Sequence, residues 1–187
     1  MKAAVLKNWL DLELCDIPVP VPGENEALIK VKRAGVCGSD ITVYRGKHMT
    51  ATVPTVLCHE ILGTIESLPE GYDGKFKLGQ RVLMNPIISC GKCAACQRGL
   101  PWVCENLKLL GIHVDGGFAE YTKVGVDKLV ALDEDIPDEV AILDEPSVST
   151  SWSTLRCRMA TRYSFPAALP SACTLRCSQR QRAQGAS

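Results

Sequence analysis

Short hydrophobic runs separated by polar turns extend along most of the chain, and this pattern predicts a mainly β fold. The turns, such as PVPGEN and PEGYDGK, are rich in Gly, Pro and Asp, which favour chain reversals. The runs between them are rich in Val, Ile, Leu and Thr, as strands are. Six such runs are Lys2–Lys7, Ala27–Gly35, Glu60–Ser67, Arg81–Met84, Ala119–Val124 and Leu129–Leu132. We therefore expect a β-barrel or a folded sheet.

Two short segments have helical character instead. One helical turn is predicted at Ser39–Tyr44, directly after Cys37. A second helix is predicted to begin near Pro137, where DIPDEVAIL places proline and acidic residues in the first turn. Proline is tolerated there because the N–H that it lacks has no partner within the helix. The expected fold class is therefore mainly β with short helices.

The pattern changes after Pro146. Residues 1–146 hold all 21 acidic residues and a net charge of −6, whereas residues 147–187 carry six arginines and no Lys, Asp or Glu. The second segment shows neither helical nor strand periodicity, and we expect it to be disordered. Its abrupt, acid-free and arginine-rich onset is typical of translation in a shifted reading frame. A targeting or interaction tail is the alternative.

The N-terminal sequence and the composition indicate the cellular compartment and the classes of partner that we expect. The N-terminal sequence MKAAVLKNWLDLEL has no long apolar run or small-residue cleavage site of the kind that a signal peptide carries. The ten cysteines are therefore expected in a reducing, cytoplasmic environment. No stretch approaches the roughly 20 apolar residues that span a bilayer, and residues 1–146 show no basic stripe. These features predict neither a membrane nor a nucleic-acid partner.

Four cysteines occur within fifteen residues, in the run CGKCAACQRGLPWVC. Four thiolates in this pattern favour a closed tetrahedral zinc site, which is structural because no position remains for water or substrate. An iron–sulfur cluster is the alternative, but the ferredoxin run continues C-x₃-C-P, whereas seven residues precede the fourth cysteine here. A nucleic-acid zinc finger would need a basic recognition helix, and none follows. The expected zinc ligands are Cys90, Cys93, Cys96 and Cys104.

A second, more dispersed group combines Cys37 in AGVCGSD with His59 and Glu60 in VLCHEILG. Thiolate, imidazole and carboxylate all bind Zn²⁺, and three protein ligands leave a fourth position at which a metal polarises an alcohol or carbonyl oxygen. Each residue also has an ordinary explanation. Buried Cys is commonly a small hydrophobic residue, His is often only hydrogen-bonded, and Glu is usually on the surface. Spacing alone leaves both interpretations open.

Four motifs in order resemble the zinc-containing medium-chain dehydrogenases. They are AGVCGSD, the HE-x-x-G that begins at His59, C-x₂-C-x₂-C-x₇-C, and DGGFAEY at Asp115–Tyr121. The resemblance extends from Met1 to about Pro146 and is greatest to the polyol and sugar-acid branch, with threonine dehydrogenase a near relation. It implies that residues 1–146 form the family's catalytic domain, a GroES-like, partly open β-barrel with a structural zinc lobe.

The resemblance also implies roles for individual residues. Cys37, His59 and Glu60 match the catalytic zinc ligands, and Glu145, in LDEPS, matches a glutamate beside that zinc. Ser39 matches the hydroxyl that passes the substrate proton. In part of the superfamily another Cys replaces the Glu60 equivalent, and this chain has no spare Cys at that place, which favours Glu60.

The implied function is that of a zinc-dependent, NAD(P)-linked dehydrogenase that oxidises a secondary alcohol of a polyol, sugar acid or similar small molecule to a ketone. It implies two zinc ions, one catalytic and one structural, NAD(H) or NADP(H) in the full-length family, and homo-oligomers among relatives.

Two departures from the family pattern affect this expectation. Cys58 stands where the family usually has glycine, with strain or misplaced metal ligation as the expected consequences. The family's Rossmann domain, with its G-x-G-x-x-G turn, is missing, because these 187 residues contain no Gly-x-Gly. A catalytically inactive zinc-binding fragment is therefore the alternative to an active dehydrogenase.

Overall fold

Short strands dominate the part of the chain that the computed structural model describes, residues 1–143. The strands are β1 (Lys2–Asn8), β2 (Asp11–Asp16), β3 (Glu26–Ala34), β4 (Thr55–Val56), β5 (Ile61–Ser67), β6 (Arg81–Met84), β7 (Ile87–Ile88), β8 (Lys108–Leu109), β9 (Tyr121–Gly125) and β10 (Leu129–Ala131). The helices are α1 (Gly38–Tyr44), α2 (Ala94–Gln97) and α3 (Asp138–Ala141). The prediction of a mainly β fold with short helices is confirmed.

The largest sheet has five antiparallel strands in the order β10-β6-β5-β3-β9. On β3, Ala27 and Ile29 are completely buried while Lys30 is exposed, so the alternation in the sequence places every second side chain in the core. Ile29 pairs with Ile65 of β5 on one side and with Thr122 of β9 on the other. The main core lies against this sheet and includes Ile61, Ile65, Val82 and Leu110.

A three-stranded sheet in the order β2-β1-β4 joins the chain start to the segment that precedes His59. Leu6 of β1 pairs with Thr55 of β4. Leu6 also packs in a second core with Val43 of α1 and Leu57. This core therefore holds α1 close to the segment that leads to His59.

The four clustered cysteines lie on a separate small lobe. Its base is the two-stranded pair β7-β8, in which Ile87 faces Leu109 and Ile88 faces Lys108. The intervening chain contains α2 and a 3-10 turn at Pro101–Val103. The lobe buries few apolar side chains, so a bound metal would contribute strongly to its stability.

All six strands expected from the hydrophobic pattern are present, with ends that differ by at most two residues. The strand β2 was not predicted, because its leucines do not face a core: Leu12 and Leu14 are both exposed. None of the helices in the described residues is long and apolar enough to cross a membrane. The expected domain boundary at Pro146 and the segment 147–187 lie outside the described residues, so both stay predictions.

Candidate metal and catalytic site

One buried carboxylate ties together the two chain segments that carry the dispersed candidate ligands. Asp40, in the first turn of α1, is 2% exposed. Its Oδ2 accepts the N–H of Cys37 at 2.8 Å, and its Oδ1 accepts the N–H of Cys58 at 3.1 Å. Cys37 is the N-cap of α1, so the acid three residues later caps the helix in the manner of a capping box. The same bonds place Cys37 beside the residue that precedes His59.

The three predicted ligands come together. One ligand atom from each of Cys37, His59 and Glu60 can be chosen so that all three lie within 4.8 Å of one another. His59 and Glu60 are each 7% exposed, and Cys37 is half-buried. The Nδ1 atom of His59 lies 3.9 Å from Asp40 Oδ1. Cys37 lies 22 residues before His59 and 23 before Glu60 in sequence, and the fold brings the thiol and the two buried polar side chains together, as a metal ligand set requires.

The backbone around the site is shaped for the Glu60 side chain. A Cβ atom on Gly35 would come within 3.0 Å of the Glu60 side chain, a separation that real Cβ atoms do not reach. The N–H of Gly35 donates to the carbonyl of Glu60 at 2.8 Å. Glycine at this position therefore leaves space for the carboxylate. The donor set of thiolate, imidazole and carboxylate, buried and convergent, fits a Zn²⁺ ion of the catalytic type.

Ser39 supplies a hydroxyl in the same turn of α1. Its Oγ atom is buried and has no hydrogen-bond partner among the residues that the structure describes. A buried hydroxyl is usually bonded, so this one has hydrogen-bonding capacity that no described residue uses. It lies two residues from Cys37 and next to Asp40.

Cys58, the departure from glycine, is strained but does not belong to the ligand set. Its φ of +86° lies in the left-handed region that glycine favours. The thiol is completely buried and donates to the carbonyls of Gly35 and Glu60 at 3.4 and 3.3 Å. Burial, with the nearby Asp40 carboxylate, raises the pKa of Cys58 to about 12. The expected strain is therefore present, and the Cys58 thiol is bonded to backbone carbonyls, outside the group of side chains that converge.

The four cysteines of the lobe also converge. Their Sγ atoms lie within 4.8 Å of one another, with Cys93 at 3.5 Å from Cys96 and 3.9 Å from Cys104. Four sulfurs at about 2.3 Å from one tetrahedral zinc ion lie about 3.8 Å apart, so these separations match a closed site. The N–H groups of Cys90 and Asn106 both donate to Cys104 Sγ at 3.3 Å.

Backbone donors favour the thiolate form of two of these cysteines. Hydrogen bonds from the N–H groups of Lys92 and Cys93 lower the pKa of Cys90 to about 6. Hydrogen bonds from the backbone at Cys96 and Glu105 lower the pKa of Cys93. Burial raises the pKa of Cys96 to about 11. Zinc binds thiolates, so the lowered pKa values of Cys90 and Cys93 favour metal binding at these two cysteines.

Two other features lie outside this centre. The predicted site residue Glu145 is outside the described residues. A cavity of about 1060 Å³ lies between the segments 52–56, 113–116 and 121–125, and none of the predicted ligands lines it. Sequence reasoning did not identify Gly35 as a site residue, although its place in AGVCGSD beside Cys37 was a usable signal.

The family model described as the alcohol dehydrogenase GroES-like domain matches residues 23–134, more than half of the chain. The chain therefore belongs to this family of zinc-type alcohol dehydrogenases, whose named members are oxidoreductases. The predicted GroES-like fold and family membership are confirmed.

Two curated relatives illustrate the similarity. L-galactonate-5-dehydrogenase of Escherichia coli (strain K12) is 39% identical over 131 residues, which cover 70% of this chain and 38% of the relative. L-threonine 3-dehydrogenase of Pyrococcus furiosus is 37% identical over 137 residues, which cover 72% of this chain and 39% of the relative. The chain thus spans about two fifths of the length of these relatives.

A solved structure extends the comparison to the cofactor. The crystal structure of an alcohol dehydrogenase (rspB) from Escherichia coli CFT073, in complex with NADH, superimposes with a TM-score of 0.73 at 37% identity. The match covers 79% of this chain and 42% of that one. Zinc-type dehydrogenases and nicotinamide cofactors therefore characterise the relatives of this chain.

Proposed function

We propose that residues 1–146 are the metal-binding catalytic domain of a zinc-dependent, NAD(P)-linked dehydrogenase that acts on a secondary alcohol. The observation that carries this proposal is the convergence of Cys37, His59 and Glu60 within 4.8 Å, with the buried Ser39 hydroxyl, unpartnered among the described residues, two residues after Cys37. A three-ligand metal position with a hydroxyl that can relay a proton is the arrangement that alcohol oxidation needs.

Each residue has a distinct task in this proposal. Cys37, His59 and Glu60 hold the catalytic zinc, and the Cys90–Cys104 lobe holds a second, structural zinc. When bound, the catalytic zinc lowers the pKa of the substrate alcohol, and the nicotinamide provides the acceptor for its hydride. Ser39 Oγ would accept the hydrogen bond of the substrate hydroxyl and relay the proton, giving up its own proton towards solvent as it takes that of the substrate. Asp40 holds the backbone of Cys37 and Cys58, so that the ligands stay in place.

A polyol or sugar acid is the proposed substrate class, with the alcohol oxidised to a ketone. The names of the relatives support it, since L-galactonate and L-threonine both carry a secondary hydroxyl. We also propose Glu145 as a further group at this site, three residues after Ile142. No dinucleotide site is assigned on these residues, because they contain no Gly-x-Gly turn.

The second candidate function is metal binding without hydride transfer. It is favoured by one observation, namely that these residues contain no Gly-x-Gly turn of the kind that seats a dinucleotide. The two candidates differ in whether the chain binds a dinucleotide. Isothermal titration with NADH and NADPH separates them, because an active enzyme has to bind one of the two.

The metal content of the purified chain tests the proposal. We expect two zinc ions per chain by elemental analysis. Cys37→Ser and His59→Gln should each remove one ion, while Cys15→Ser, which changes a half-buried cysteine outside both groups, should remove none. Two ions retained in Cys37→Ser would exclude the catalytic site. A shortened chain of residues 1–146 that keeps both ions would support the proposed domain boundary.

A further inference from the structure

We propose that the DGGF segment, Asp115–Phe118, is a positioning element for the catalytic metal ligands: it holds the backbone of residues 56–58 in the conformation that aims His59 and Glu60 at the metal. The inference rests on the proposed metal site and assigns a role to residues outside the proposed ligand set. The segment lies more than 50 residues after His59 in sequence, and the two are adjacent only in the folded chain.

Four hydrogen bonds join the DGGF segment to residues 56–58. The carboxylate of Asp115 accepts the N–H of Val56 at 2.9 Å. The next three N–H groups donate to three successive carbonyls: Gly116 to Val56 at 2.7 Å, Gly117 to Cys58 at 3.0 Å and Phe118 to Leu57 at 3.1 Å. Every carbonyl of residues 56–58 is therefore bonded to this segment.

Two glycines allow this close approach. A Cβ on Gly116 would come within 3.0 Å of the carbonyl oxygens of Cys58 and Leu57. A Cβ on Gly117 would come equally close to the side chain of Ile61. Any other residue at position 116 would push the two segments apart, and any other residue at position 117 would displace the Ile61 side chain. The first glycine of the motif is thus explained by backbone contact with residues 57–58, and the second by side-chain packing next to the His59–Glu60 pair.

The DGGF segment also helps to hold Cys58 in its strained backbone conformation. A side chain at φ +86° is unfavourable, so this conformation persists only where its surroundings impose it. Asp40 accepts the N–H of Cys58, and Gly117 donates to its carbonyl, so both peptide groups of the strained residue are held. The orientation of the next residue, His59, follows from these two bonds.

Cobalt titration of the full chain tests this role. One equivalent of Zn²⁺ first fills the Cys90–Cys104 lobe, since four thiolates prefer it, and Co²⁺ then reports on the second site by its visible absorption. We expect Asp115→Ala to weaken this Co²⁺ binding on the order of tenfold to a hundredfold, as the loss of supporting contacts around metal ligands does. Asp115→Asn keeps an acceptor oxygen and should bind within a few-fold of the unchanged chain. Asp73→Ala, in an exposed turn, is the matched control.

The outcomes separate the two proposals. If the unchanged chain takes up no Co²⁺ beyond the lobe, the catalytic metal site is wrong, and the positioning role falls with it. If the unchanged chain binds Co²⁺ and Asp115→Ala binds it equally tightly with the same spectrum, the positioning role alone is wrong. A loss of thermal stability without any change in Co²⁺ affinity would also count against it, because a purely structural role predicts that result.

If Asp115→Ala does not fold, hydrogen–deuterium exchange on the unchanged chain tests the positioning role instead. In the unchanged chain, Co²⁺ at the second site should slow exchange at the amides of Gly116, Gly117 and Phe118, which donate to residues 56–58. Protection confined to residues 56–60 would overturn the proposal.

Discussion

The guanidinium of Arg81 donates to the carboxylate of Asp138 at 2.7 Å and so fastens β6 to the first turn of α3. The other terminal nitrogen of Arg81 donates to three backbone carbonyls in the loop before α3. They are those of Asp133 at 2.8 Å, Glu134 at 3.2 Å and Ile136 at 2.8 Å. Lys32 adds an ion pair to the other oxygen of Asp138 at 3.1 Å. A single arginine thereby holds the segment that follows the last strand of the five-stranded sheet.

Replacing this arginine should destabilise the domain. Arg81→Met removes a charge-assisted bond and takes this donor from three carbonyls, of which that of Asp133 keeps the N–H of Ile136, so we expect the free energy of unfolding to fall by about 1.5–3 kcal/mol. Arg45→Met, at an exposed arginine, should change it by less than about 0.5 kcal/mol. Urea denaturation with zinc present measures both. Equal midpoints for the two variants would contradict the role of Arg81.

The ion pair predicts an acid-dependent contribution from Asp138. Hydrogen bonding to Lys32 and Arg81 lowers its pKa from the ordinary 3.8. A lowered carboxylate pKa stabilises the fold above the unfolded value, and this contribution disappears as the pH falls through the folded pKa. Unchanged chain and Asp138→Asn should therefore differ in stability near neutral pH and converge below pH 3.8. A difference that stays constant with pH would disprove this assignment.

His113 should resist protonation. Its Nδ1 accepts the N–H of Leu109 at 3.0 Å, and its Nε2 lies 2.8 Å from Thr50 Oγ1, so the bonded form is the neutral imidazole. Burial, followed by the charges of His48 and Lys108, lowers its pKa from 6.5. Stability should thus decline as the pH falls below 6.5, and His113→Gln should remove that dependence.

NMR titration measures the pKa of His113 directly. In His48→Gln the pKa should move up towards its ordinary value, because one of the neighbouring charges has been removed. A value at or above 6.5 in the unchanged chain would show that the Leu109 bond does not hold the ring neutral.

The strain at Cys58 predicts an unusual order of two variants. At an ordinary buried position alanine is more stable than glycine by roughly 0.5–1 kcal/mol. At φ +86° the Cβ is the source of strain, so Cys58→Gly should be more stable than Cys58→Ala by about 1 kcal/mol. Thermal unfolding of the two zinc-loaded variants gives the comparison. If alanine were the more stable, the backbone at residue 58 would not be strained.

The zinc lobe should depend on all four of its cysteines. Because this lobe has a small apolar core, Cys90→Ser should unfold the loop 90–104 and leave the five-stranded sheet intact. Proteolysis of that loop, read by mass spectrometry, should accelerate several-fold. Unchanged resistance would mean that the loop folds without metal.

Sequence patterns were most informative where the interacting residues are close together in the chain. The lobe ligands occupy fifteen residues, so their spacing alone predicts a closed site. The strands β3, β5 and β6 follow from buried, β-branched runs. The strand β2 escaped prediction because its leucines face solvent, and residue patterns indicate burial rather than backbone pairing.

The dispersed candidate site could not be assigned from residue spacing alone. Spacing left Cys37, His59 and Glu60 open to ordinary explanations, and resemblance to a known family was needed to assign them as candidate ligands. The bond between Cys58 and Asp40 and the bonds of the DGGF segment could not be derived, because they link residues 18 to 61 positions apart through backbone groups that carry no signature in sequence.

The sequence by itself determined the mainly β class and the cysteine-rich lobe, because hydrophobic alternation and short cysteine spacing are local properties of the chain, and the resemblance of its motifs supplied the dispersed candidate ligands. Only the tertiary structure decided that three of those ligands meet, that Cys58 is a strained thiol bonded to backbone, and that Asp115–Phe118 supports the approach to His59. These facts depend on which distant backbone groups come within hydrogen-bond distance, and that distance is set by packing of the whole domain.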